Sequence, residues 1–171
     1  MKTIVLVRHA KSSWDNPDWS DFERPLNKRG LRDAPYLAEV LKSKVLKPNL
    51  VISSPAIRAK TTATIFANAF EYEEKDIKFD IGLYEKGQKY VSKIISQIDN
   101  QVSSVFFFGH NPDITSLAGF LTGDYFENVP TCGIVCIDFN VQNWEQALND
   151  NGTLRFFIFP KLFFHKENLS D

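Results

Sequence analysis

Cysteine is scarce in this chain: Cys132 and Cys136 are the only two among 171 residues. They lie four apart with no further Cys or His at metal-ligand spacing, which excludes a disulfide-stapled scaffold and a cysteine-based metal centre. Both are expected to be small buried residues in a reducing compartment. An excess of charge of either sign is also missing. The formal net charge is −1 and the pI near 6.3, so the chain has no global field for nucleic acid, and any anion site must be a local cluster. Long apolar runs are absent. The first apolar segment, Thr3 to Val7, stops at Arg8-His9, too short for a signal-peptide core or a membrane span. The cytoplasm is therefore the expected location, with no membrane partner. Asn151-Gly152-Thr153 and Asn168-Leu169-Ser170 match the glycosylation sequon, but without a secretory signal they read as a turn and a tail. Repeats, linkers and low-complexity segments are lacking too, so residues 1–171 are expected to form one domain. A chain of that length buries about 70% of its unfolded surface and needs no staples.

What is present is an alternation of strand-like and helical patterns. Strand-like runs fall at 3–7, 50–53, 104–108, 133–139 and 154–159, with a weaker one at Ile77-Lys78-Phe79. Helical patterns separate them, which predicts a three-layer α/β/α domain with a largely parallel central sheet. The first helix is expected to start after Asn27 as N-cap and run to about Ser43, with Ala34, Leu37, Ala38, Leu41 and Val45 marking a buried stripe and a kink at Pro35. Ser54 and Pro55 suit the cap and first position of a second helix, placing Arg58 one turn in. Further helices are predicted from Lys89 to about Gln97 and from Asp113 to Leu121. Val105-Phe106-Phe107-Phe108 shows no polar alternation, as a central strand covered on both faces requires. The last two strands, joined by a polar loop, read as a hairpin closing one side of the sheet.

Three of these strands are followed at once by basic or imidazole groups: Arg8-His9, then Ser53-Ser54-Pro55-Ala56-Ile57-Arg58, then Gly109-His110-Asn111-Pro112. Parallel strands bring such groups to one rim of the sheet, where α/β proteins bind ligands. Phosphoryl transfer to a side chain needs a nucleophile in line, fixed positive donors for the equatorial oxygens, and a proton source for the leaving group. Two arginines and two histidines meet the first two needs with no metal and no cofactor. Each residue alone has a blander reading, His110 as a structural histidine and Arg58 as a solvated helix residue. Their order and placement at strand ends favour chemistry.

The segments Val7-Arg8-His9-Ala10-Lys11, Ser54-Pro55-Ala56-Ile57-Arg58-Ala59 and Phe108-Gly109-His110-Asn111-Pro112 resemble the signature of the histidine phosphatase superfamily, the phosphoglycerate mutase-like proteins. Arg24-Pro25-Leu26 and Gly30 narrow the likeness to the short SixA-type phosphohistidine phosphatases. The resemblance implies that His9 is a transiently phosphorylated nucleophile and that Arg8 and Arg58 hold the phosphate oxygens. By the same likeness His110 completes the pocket, and Arg24 is a secondary phosphate contact.

The superfamily's usual proton donor is a carboxylate between the second arginine and the second histidine, and Glu85 is the best-placed candidate. An exposed loop glutamate has the same local pattern. SixA-type proteins often lack a clear acid, consistent with imidazole being easier to expel than an alkoxide. The stretch from Arg58 to His110 is too short for a large substrate-specific lid, which suits a phosphorylated protein better than a small phosphomonoester as partner. Trp14 and Trp19, in the loop after His9, could grip such a partner, but packing of that loop onto its own sheet is the favoured reading. Phe163-Phe164-His165 reads as packing plus a solvated histidine. The oligomeric state has no signature in the sequence.

Overall fold

A computed structural model describes residues 1–164. His165 and the Asn168 sequon lie outside the described residues. The elements in chain order are β1 (Lys2–Arg8), a 3₁₀ turn (Asp21–Glu23), α1 (Lys28–Lys42), β2 (Leu50–Ser53), α2 (Ile57–Ala69), β3 (Lys78–Phe79), α3 (Gly82–Glu85) and α4 (Gly87–Ser96). They continue with β4 (Ser104–Gly109), α5 (Asp113–Thr122), β5 (Ile134–Phe139), α6 (Trp144–Ala147) and β6 (Thr153–Ile158). The six strands form one sheet in the order β3-β2-β4-β1-β5-β6. The β3-β2, β2-β4 and β4-β1 pairs are parallel, while β1-β5 and β5-β6 are antiparallel. The sheet is thus mostly parallel, with an antiparallel pair closing one side.

Alternation along the central strands divides the core in two. Ile4, Leu6, Val105 and Phe107 face α4, α5 and α6 through Val91, Ile95, Leu117 and Trp144. Val5, Val7, Phe106 and Phe108 face α1 and α2 through Leu37, Leu41 and Phe66. Both faces are covered, which explains the uninterrupted apolar run of β4, and each large side chain so buried contributes about 1.5–3 kcal/mol. Cys132 and Cys136 are buried in the second cluster as free thiols.

Several element boundaries differ from the sequence reading for local reasons. Asn27 caps α1 as expected, its side chain accepting from Gly30 N–H at 2.9 Å, and the helix runs unbroken through Pro35 to Lys42. A Cβ on Gly30 would collide with the Lys11 carbonyl, so glycine is what lets α1 approach the segment following His9. The second helix starts at Ile57, two residues later than expected, because the Ser54 hydroxyl is engaged with His110 and with Ala56 N–H in a turn ahead of the helix. α3 was not foreseen, nor was α6 within the polar loop, where buried Trp144 donates its indole N–H to Val102 carbonyl at 2.9 Å.

Candidate active site

Strand register makes the site. Arg8 pairs with Gly109 across β1-β4, and Ser53 with Phe108 across β2-β4, so three parallel strands end at one level. Backbone bonds continue this alignment past the strand ends: His9 N–H donates to Gly109 carbonyl at 3.0 Å and Ser54 N–H to Phe108 carbonyl at 2.9 Å. His9, Arg8, Arg58 and His110 therefore come together on the rim.

The His9 ring is held by its Nδ1, 2.7 Å from the Ala10 carbonyl. A carbonyl oxygen can only accept, so Nδ1 carries the proton and Nε2 keeps its lone pair. That nitrogen faces Arg58, whose Nε–H donates to it at 3.4 Å. Ala10 N–H donates to Thr62 Oγ1, and the Thr62 hydroxyl donates to Arg58 carbonyl, tying the His9 segment to the first turns of α2. The His9 and His110 ring centroids are 5.2 Å apart. His110 Nε2 lies 2.8 Å from Ser54 Oγ, and Arg8 Nη1 donates to Val129 carbonyl at 3.0 Å. Among the described residues, Arg8 Nε and His110 Nδ1 are the buried side-chain polar atoms left without a partner. Buried polar atoms are seldom left so, and both of these belong to the cluster around His9.

Two residues without an assigned role in the sequence reading complete the ring. Asp21, in the 3₁₀ turn, accepts from Arg58 Nη2 at 3.0 Å and from the Tyr84 hydroxyl at 2.7 Å through Oδ2. Through Oδ1 it accepts from Arg24 Nε and Nη2 at 3.3 and 3.1 Å, and its backbone carbonyl takes Arg58 Nη1 at 2.6 Å. The Tyr84 ring stands edge-on to His110 with centroids 5.4 Å apart. His9, His110, Tyr84, Asp21 and Arg58 thus form a closed circle of contacts at the strand ends.

Burial first, with the neighbouring His110, Arg58 and Arg8 adding to it, lowers the His9 pKa to about 3, against an opposing pull from the Ala10 hydrogen bond. Burial and then the Arg58 charge bring His110 down to about 4. Burial alone would raise the Asp21 carboxyl, but hydrogen bonds from Tyr84 and Arg58 override it and hold the group at about 2. At neutral pH the site therefore holds two neutral imidazoles and one carboxylate among three guanidinium groups.

Residues 4–89 match the family model described as histidine phosphatase superfamily, branch 1. The chain belongs to the histidine phosphatase superfamily. A chloroplastic protein of Arabidopsis thaliana is 30% identical over 159 residues, covering 88% of this chain and 72% of its own. The crystal structure of an Agrobacterium tumefaciens protein proposed to be the phosphohistidine phosphatase SixA is 28% identical with a TM-score of 0.78, covering 93% of this chain and 98% of that one. The fold is also shared with a mycobacterial glucosyl-3-phosphoglycerate phosphatase, at 14% identity and a TM-score of 0.67, over 91% of this chain and 98% of that one. The fold is thus shared by proteins of more than one phosphatase specificity.

Within this superfamily site, Arg24 reaches the circle through Asp21. Its Nη1 donates to Ser12 Oγ at 2.7 Å and its guanidinium stacks 3.6 Å from the Trp14 ring. Trp14 is 73% exposed, so it covers Arg24 and does not pack onto the sheet as favoured from the sequence, whereas Trp19 is half-buried. Glu85 is exposed, and among the described residues its side chain makes no hydrogen bond or ion pair with the circle. Its neighbour Tyr84 is the α3 residue that faces the site. The signal for Asp21 in the sequence was the Asp21-x-x-Arg24 spacing, which a 3₁₀ turn converts into a contact. No group of His, Cys, Asp and Glu placed to hold a metal ion occurs among the described residues, and no helix among them is long and apolar enough to cross a membrane.

The lowered imidazole pKa values give a stability prediction. Between about pH 6.5 and 4 the unfolded chain binds protons at positions 9 and 110 that the folded protein does not, so stability falls as pH falls through that window. Urea unfolding at pH 7, 6, 5 and 4.5 should show this decline. The doubly substituted His9→Asn, His110→Asn protein should show a flatter profile over the same range, and equal slopes would contradict the lowered values.

Proposed function

We infer that this protein is a metal-independent phosphatase acting through a phosphohistidine intermediate on His9, with a protein phosphohistidine as substrate. The observation that carries this reading is the His9 ring, fixed through Nδ1 to the Ala10 carbonyl, with its Nε2 lone pair directed at Arg58. A neutral imidazole so oriented needs no base before it attacks phosphorus. Arg8, whose Nε lacks a protein partner, and Arg58 supply fixed positive donors to the equatorial oxygens. Ser54 accepts from Ala56 N–H and can donate its own proton to His110 Nε2, which leaves Nδ1–H as a further donor to the phosphoryl group.

In the first step the His9 Nε2–P bond forms and the bond from phosphorus to the substrate imidazole breaks. The electron pair stays on that nitrogen. When the substrate ring carries a proton on its other nitrogen, it departs as neutral imidazole with no proton transfer. Water then takes the PO₃⁻ unit from His9 to give dihydrogen phosphate, and the pair returns to Nε2. A sugar or glycerate alkoxide would instead need an acid. Glu85 lies outside the circle and Asp21 is held ionised, which favours the nitrogen leaving group over the rival phosphomonoesterase or mutase reading.

A substrate panel tests this. Purified protein should show its highest kcat/KM on a phosphohistidine-bearing phosphotransfer domain, below that on p-nitrophenyl phosphate, and lowest on phosphoglycerates, with EDTA leaving all rates intact. Preference for the metabolites by orders of magnitude would overturn the substrate assignment. Phosphate binding with no turnover of any compound would instead indicate a silent binding module on the same fold.

A further inference from the structure

The Asp21 carboxylate sits at the mouth of the site, its side chain 51% exposed while the guanidinium groups it bridges, Arg24 and Arg58, are 9% and 7% exposed. It is not required merely to anchor Arg58, because the Asp21 backbone carbonyl already accepts from Arg58 Nη1 at 2.6 Å. What the side chain adds is a negative charge. Arg58 touches His9, Arg8 precedes it in the chain and Arg24 joins through Asp21; set against these three positive charges, the one carboxylate leaves an excess of two. Two positive charges match a phosphoryl dianion and leave none for a second anion.

We propose that Asp21 sets a charge preference at the pocket mouth, admitting phosphates whose leaving group is cationic or neutral and turning away those that carry a second anion beside the phosphorus. The proposal rests on the reading of this pocket as a phosphate site. It deepens that reading by naming the feature that separates a protein phosphohistidine from a carboxylate-bearing metabolite. An imidazole protonated on the nitrogen remote from phosphorus is a cation that the half-exposed carboxylate at the mouth attracts, and the carboxylate favours that protonated form, the one that leaves as neutral imidazole. A glycerate carboxylate in the same position would meet Asp21 as a like charge. Tyr84, donating to Oδ2 at 2.7 Å, holds the carboxylate in place without neutralising it.

A matched pair of esters isolates the charge. Phosphoethanolamine and 2-phosphoglycolate have the same phosphate and similar length, but one ends in an ammonium and the other in a carboxylate. Their dissociation constants, measured by calorimetry at low salt, should favour phosphoethanolamine by about fivefold, the effect of one half-exposed charge after solvent screening. In Asp21→Asn, which keeps an acceptor for Tyr84 and the backbone bond to Arg58, the ratio should collapse toward one. The ratio in unsubstituted protein should also shrink as salt rises, a readout that needs no variant. A ratio unchanged by the substitution and by salt overturns the proposal and leaves Asp21 a purely structural clamp. Because these are binding measurements, they separate the two readings. Retained discrimination with no phosphohistidine turnover would support the charge preference and overturn the substrate assignment, while failure of inorganic phosphate to bind would overturn both.

Discussion

His9→Ala should lower phosphatase turnover on the order of 10⁴-fold or more, the scale seen when a covalent nucleophile is removed. The fold should survive. His9 lies beyond the end of β1, and the two side-chain bonds lost with it, to the Ala10 carbonyl and from Arg58 Nε–H, are worth about 1 kcal/mol each. The backbone bonds that align the rim, His9 N–H to Gly109 and Cys132 N–H to the Arg8 and His9 carbonyls, do not involve the ring. Rapid base quench of single-turnover mixtures should trap an acid-labile, base-stable phosphoprotein in the unsubstituted enzyme and none in the variant. Urea midpoints at pH 7 should remain close, since the neutral ring contributes no ion pair there. A variant that still turns over at a comparable rate, or that still becomes phosphorylated, would move the covalent step elsewhere.

The three strand ends were legible in the sequence because each strand is an apolar run with a polar stop, at Arg8-His9 and His110 directly and at Ser53-Ser54 with Arg58 one turn further on, and because parallel registers leave one rim available. β1, β2 and β4 therefore located Arg8-His9, Ser53-Ser54 and Gly109-His110 before any side chain was placed. Asp21 was hidden for a physical reason. An aspartate in a polar loop has the same local pattern whether solvated or clamped, and its partners Arg58 and Tyr84 lie 37 and 63 positions away. The difference between Glu85 and Tyr84 is one of phase. Successive side chains turn by about 100° in a helix, and a segment read as loop has no phase, so the sequence reading could not tell that α3 aims Tyr84 at His110 and leaves Glu85 exposed. α6 escaped because four residues carry too little periodicity, although Asn143 caps it and Trp144 is fully buried.

Arg58→Ala should cost about 10²–10³-fold in kcat/KM, which corresponds to about 2.7–4 kcal/mol of lost transition-state stabilisation. The guanidinium has three tasks at once, and the variant separates them. On the proposed reading it removes a fixed positive donor to the phosphoryl oxygens, and in the structure it withdraws the Nε–H facing His9 Nε2 and leaves Asp21 with only Arg24 and Tyr84. Because Arg58 is among the charges lowering both imidazoles, its loss should raise the pKa of His9 and of His110, visible as an upward shift of their ring proton titrations by NMR. Arg58→Lys keeps the positive charge but not the planar fork that spans His9 and both the carboxylate and carbonyl of Asp21. It should recover part of the rate while leaving the two titrations near their original positions. A kcat/KM within about twofold of the unsubstituted enzyme in Arg58→Ala would rule out the arginine as a phosphate clamp. Equal loss in the alanine and lysine variants, with unshifted titrations in both, would show that geometry and not charge governs this corner of the site.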